Sequence, residues 1–127
     1  MFIAKKSIIG IIKLAGIIST ESRLGSRGGL NLNDLSDSIT KAFSFKNIKA
    51  IVLLVNSPGG SPVQSALIAN RIRDIAKEKE IPVYCFIEDL AASGGYWLSC
   101  AADKIYAMES SIVGSIGVIT SGFGAVE

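Results

Sequence analysis

Histidine is absent from the 127 residues. That removes the commonest zinc ligand and the commonest general base together, so a serine–histidine–aspartate triad within this chain is excluded. Cysteine is scarce: Cys85 and Cys100 lie in apolar surroundings without CxxC spacing, which favours buried, reduced thiols over a disulfide or a metal site. No charge of one sign dominates. Thirteen basic and eleven acidic residues leave a formal charge of +2, and the lysines are scattered, without the basic footprint of nucleic-acid binding. Long apolar runs are missing as well. The nearest, Ser7 to Ile18, is broken by Lys13 and falls short of the roughly 20 residues a membrane-crossing helix needs. No small-residue cleavage site follows it, which argues against a secretory signal. Neither a metal nor a cofactor is expected, and membrane association is expected only through segments outside this chain.

What is present is apolar. Hydrophobic residues make up 49% of the chain, enough for one core but not for two, so residues 1–127 read as a single domain or a piece of one. Isoleucine-dense Ile8 to Ile18 predicts a strand buried on both faces. Glycine and serine between Thr20 and Gly29 predict a mobile loop. Leu32, Leu35, Ile39, Ala42 and Phe43 recur at helical spacing, with Asn31 or Asn33 as cap. Ile48 to Val55 is a continuous branched run, the pattern of a central parallel strand, and Pro82 to Ile87 is a second buried one. Between them Pro62 opens a helix to about Lys79, with Val63, Ile68, Ile72 and Ile75 as its apolar stripe. Tyr96 to Ala102 predicts a short helix and Lys104 to Met108 a strand. Strands alternating with helices at this spacing argue for an α/β fold with a mainly parallel sheet.

Two glycine turns each follow a buried strand and each open a helix: NSPGGS at 56–61 and AASGGYW at 91–97. Both therefore sit at carboxyl ends of strands, where α/β sheets place their sites. Paired glycines expose amide hydrogens, and facing turns of this kind would make an anion hole. In the functional reading Ser93 attacks a carbonyl, and the amides of Gly94 and of Gly59 or Gly60 hold the oxyanion. In the bland reading both are tight turns. Neither matches a phosphate-binding loop, since no lysine closes either one. Ser57, Ser61 and Ser65 read as turn and capping residues.

The segments IVLLVNSPGGSPVQSA and PVYCFIEDLAASGGYWLSCAADKIYAMESSIVGSIGVI, in this order, resemble the core of the signal peptide peptidase A family of serine–lysine proteases, over roughly residues 8 to 120. The resemblance implies a Clp protease/crotonase-like fold of repeated strand–strand–helix units. It also implies Ser93 as nucleophile, oxyanion donors from the Gly59-Gly60 turn and Gly94, and Ser115 hydrogen-bonding a general-base lysine. In that family the lysine lies beyond the GSIGV segment or in another half of the chain, so it is expected beyond Glu127, and the domain is expected to be truncated at its C-terminus and inactive alone. Lys13 is the one internal candidate. Lys104 beside Asp103 reads as a surface pair, Lys77 and Lys79 as a solvated helix end, and Glu88 and Asp89 as a solvated loop feature at a strand end.

The resemblance further implies an extended, hydrophobic peptide substrate, a homo-oligomer, and a membrane-associated bacterial protein that degrades signal peptides or other membrane-associated polypeptides. Two other classes stay open: a non-catalytic scaffold or pseudoprotease, and a crotonase-like acyl-thioester enzyme using the same paired amides.

Overall fold

The computed structural model describes residues 6–20 and 29–117. The loop expected over 20–29 falls almost wholly outside them, as does the apolar run after Gly117. Eight elements follow in order: β1 (Ile8–Ala15), α1 (Leu32–Ser44), β2 (Ile48–Ser57), α2 (Pro62–Lys79), β3 (Val83–Ala92), α3 (Gly94–Ser99), β4 (Lys104–Ala107) and β5 (Ile112–Gly114). All pairings are parallel. The sheet runs β1-β2-β3-β4, and β5 pairs with β3 beyond the end of β4.

Local chemistry sets the helix starts. The Asn31 side chain accepts from the Asp34 amide and caps α1, while Ser61 accepts from the Gln64 amide ahead of Pro62 and caps α2. Such caps are each worth about 1 kcal/mol. The helices lay Ile39, Phe43, Ile68, Ile72 and Ile75 against Ile12, Leu14, Ile51, Leu53, Val55, Val83, Cys85 and Ile87 in one buried cluster. Val63, expected in that stripe, is instead exposed, because it shares the outer face of α2 with Leu67, off the buried row of Ser65, Ile68, Ile72 and Ile75.

Strands β1, β2 and β3 bury alternate residues on one face only and β4 is exposed throughout, which corrects the expectation of double-sided burial. β1 is an edge strand, and Ile9 and Ile11 stay 59% and 63% exposed. Val52 and Leu54 are half-buried on the same side. There Phe86 and Tyr106, register partners, stack with ring centroids 5.0 Å apart. Continuous apolar runs mark strands correctly, but the number of covered faces depends on how many layers surround the sheet.

β3 also runs five residues past Ile87, so Glu88 and Asp89 belong to the strand rather than to a loop. Asp89 accepts a hydrogen bond from the Asn56 side chain at 2.8 Å. Asp103, at the opposite end of the sheet, pairs with Arg73 at 3.0 Å and not with Lys104. It also accepts from the Val83 amide at 2.8 Å. That amide bond first, and Arg73 second, hold its carboxyl below the usual carboxylate range.

Candidate active site

The ends of β2 and β3 lie side by side, with Ser57 paired to Ala91 across a register shift. Each strand then breaks into its glycine turn. Gly59 and Gly60 adopt φ of +96° and +146°, a region that side chains rarely enter. A Cβ on Gly59 would sit 2.7 Å from the Gly94 amide nitrogen and 2.9 Å from the Ser93 Cβ. The two turns, separated by more than thirty residues, are therefore in contact. Gly95 packs directly over the Ser57 carbonyl, and a side chain at Gly94 would collide with the Ser65 hydroxyl. Glycine at 94 and 95 is what lets α3 begin so close to β2.

Ser93 stands between β3 and α3 with φ 53° and ψ −118°. It occupies the position that would cap α3, yet its side chain makes no capping bond. A sharp, strained strand-to-helix turn that leaves a serine Oγ free is the geometry of a nucleophile elbow. Its backbone is pinned on both sides: the Ser93 amide donates to the Gly114 carbonyl at 3.0 Å, and its carbonyl accepts from the Trp97 amide at 3.1 Å. Among non-glycine described residues, left-handed φ occurs at Asn47, Glu80, Ser93 and Ser115. Two of these four line the same cleft.

The amides sort themselves. Gly59 donates to Ser57 Oγ at 3.1 Å. Among the hydrogen bonds of the described residues, the Gly60 and Gly94 amides have no acceptor. Beside them opens a cavity of about 340 Å3 whose wall is mainly apolar, formed by Pro62, Trp97, Cys100 and Ile116 around Ser93 and Ser115. Gly60 and Gly94 also line it.

The structure thus brings together Ser93, Ser115, Gly60 and Gly94, with Gly59 adjacent. It does not bring Lys13 to them. Lys13 is exposed on the uncovered sheet face, level with Leu54 and Phe86. Phe86 precedes Ser93 by seven residues, about 23 Å of extended chain at roughly 3.3 Å per residue. Cys85 is buried as expected, and burial pushes its thiol above the usual range. Cys100 is exposed, contrary to expectation, because it ends α3 at the cleft wall. Sequence reasoning did not single out Pro62, Trp97 or Ile116 as lining residues. The one signal for Trp97 was its place in the first turn after the glycines.

Comparisons with known proteins agree with this geometry. Residues 75–125 match Peptidase family S49. A relative named signal peptide peptidase SppA, from Enterococcus faecium, is 42% identical over 94% of this chain and 33% of its own length. The Na(+)/H(+) antiporter NhaA of Brucella melitensis biotype 1 is 46% identical over 99% of this chain but only 17% of the antiporter. The chain thus spans about a third or less of these relatives. Among solved structures, a serine-to-alanine mutant of the membrane-bound stomatin-specific protease 1510-N superposes with a TM-score of 0.63 at 21% identity, over 84% of this chain and 46% of that one. That likeness, with one to a ClpP1 mutant from Listeria monocytogenes at a TM-score of 0.52 and 23% identity over 72% of this chain and 46% of that one, shows a Clp protease-like α/β fold. Residues 75–125 thus match peptidase family S49, the chain is similar over most of its length to a signal peptide peptidase, and the paired glycine turns agree with that similarity.

Proposed function

We propose that this domain carries the nucleophile of a serine endopeptidase of the serine–lysine type. One observation carries the reading: Ser93, left-handed and uncapped, shares a cleft with the unengaged amides of Gly60 and Gly94. Ser93 Oγ attacks the scissile carbonyl carbon while its proton passes to the neutral amine of a lysine. The two amides hold the oxyanion. Collapse breaks the C–N bond, the lysine returns the proton to the leaving amine, and water releases the acyl group by the same route. A lysine serves only if burial lowers its pKa from about 10.4 towards neutrality. Lys13 lacks that burial, so the proposed base is a lysine outside the described residues, in the same polypeptide or a neighbouring subunit, with Ser115 as its hydrogen-bond partner.

The apolar cavity favours an extended peptide with a hydrophobic side chain between Trp97 and Ile116, the peptide backbone adding alongside β5. The uncovered sheet face supports assembly of several copies. Signal peptides or other membrane-associated polypeptides at a bacterial membrane are the proposed substrates, in line with the relatives' names. The antiporter's name belongs to a protein of which this segment is a sixth. No helix among the described residues is long and apolar enough to cross a membrane.

A scaffold reading has one supporting observation: among the described residues no lysine lines the cleft. A fluorophosphonate probe decides between them. The full natural polypeptide is expected to label at Ser93, with Ser93→Ala unlabelled. A folded but unlabelled wild type would favour the scaffold.

A further inference from the structure

We infer that Ser57 is a positioning residue for the oxyanion site, a role that rests on the peptidase reading above. Ser57 is fully buried. Its Oγ donates to the Gly16 carbonyl at 2.6 Å, reaching the end of β1, and accepts from the Gly59 amide at 3.1 Å. The Gly16 amide answers by donating to the Asn56 carbonyl at 3.0 Å. Along the backbone Ser57 pairs with Ala91, two residues before Ser93, and Gly95 packs onto its carbonyl. One hydroxyl therefore ties the end of β1 and the SPGG turn together at the point where Ser57's own backbone carries the nucleophile turn.

The chemical consequence concerns choice of donor. Adjacent glycine amides in one turn compete to face the cleft. By accepting from Gly59, Ser57 takes that amide out and fixes the Pro58–Gly59 peptide plane, while the Ile18 amide, two residues beyond Gly16, donates to the Gly59 carbonyl at 2.9 Å and fixes the adjoining plane that leaves Gly60 unengaged. An oxyanion site works because its donors are set before charge develops, so a donor that must reorient loses much of its effect. A hydroxyl that merely filled a buried space would influence stability and leave the oxyanion untouched.

The test uses the full natural polypeptide and compares Ser57→Ala with wild type and Ser57→Thr. Three quantities are read: kcat and KM on a peptide substrate, affinity for a peptide aldehyde, and affinity for the matching peptide alcohol. With the aldehyde, Ser93 Oγ bonds to the carbonyl carbon and its proton passes to the base, leaving the oxygen between the amides. The alcohol forms no such bond. Ser57→Ala is expected to lower kcat and aldehyde affinity about 10- to 100-fold, with KM and alcohol affinity within about twofold, and Ser57→Thr to recover most of the loss.

If Ser57→Ala does not fold, Ser57→Cys replaces it, since a thiol is near in size but a weak acceptor. A folded variant with kcat and aldehyde affinity within about twofold of wild type overturns the role. So does an equal loss for aldehyde and alcohol. If wild type shows no Ser93-dependent hydrolysis or labelling, the peptidase reading itself falls, and this role with it.

Discussion

The two glycine turns begin alike and end differently. Each leaves a parallel strand, contains adjacent glycines and opens a helix, and each has a serine at the position before its helix. Ser61 uses its hydroxyl to cap α2 and holds φ at −59°. Ser93 makes no cap and is held at φ 53°. The first turn satisfies its helix locally; the second gives up a cap and accepts strain, costs of about 1 and about 1–3 kcal/mol. A strained residue persists only where its surroundings over-determine it. Here these are the Ser93–Gly114 hydrogen bond, the Ser57–Ala91 pairing and the contact of Gly59 with Gly94. The difference teaches that a capping position and a proposed reactive position can share one sequence pattern, and that backbone geometry separates them.

Substitutions can break that contrast, and the largest effect is expected at the strained serine. Ser93→Gly should abolish fluorophosphonate labelling and reduce peptide hydrolysis by about 10^4-fold or more. The same change should raise stability by about 1 kcal/mol in denaturant titrations, because glycine accepts the left-handed backbone without strain. A loss of stability would mean that Ser93 is not strained. Gly95→Ala comes next. Its new methyl would meet the Ser57 carbonyl, a rigid neighbour, so a cost of about 2–4 kcal/mol is expected, with the denaturation midpoint falling to match.

Ser61→Ala sharpens the comparison from the other side. It should cost about 1 kcal/mol in urea while leaving kcat/KM within about twofold, since only a helix cap is lost. The smallest effects lie away from both turns. Asp103 has a folded pKa below its unfolded value. Its stabilisation is therefore present above the unfolded pKa of about 3.9 and disappears as acid titrates the folded carboxyl below that. Asp103→Asn should flatten the acid limb of a melting-temperature profile between about pH 5 and pH 2, modestly because the pair is exposed. Lys13→Ala, on the open sheet face, should leave labelling of Ser93 unchanged.

Much of this was legible because it is local. Asn31, Ser61 and Pro62 mark helix starts through hydrogen bonds that span three residues, and the branched runs at 48–55 and 82–87 mark strands through side-chain shape. The pairs of glycines announced where the backbone turns, and Ser61 did prove to be a capping residue, whereas Ser57 ends β2 and Ser65 lies within α2 with its hydroxyl on the Ser61 carbonyl. Other features had no local cause. β3 passes Ile87 because Ser57 and Ile112–Gly114 supply partners for Leu90–Ala92 from elsewhere in the chain. β1 is open on one face because no described element lies there, a fact about layers that isoleucine content does not encode.

By itself, then, the sequence determined the order of elements through β4, but not β5, together with the parallel sheet and the two turns at its carboxyl edge, since propensity, capping and glycine act over a few residues. Tertiary structure alone decided which glycine amide stays free, that Cys100 reaches the cleft wall and that Lys13 does not. Those outcomes depend on contacts between distant segments: Ser57 with Gly16, Gly95 with Ser57, Ser93 with Gly114. The proposed site for one carbonyl oxygen depends on hydrogen-bond distances that only packed strands can set.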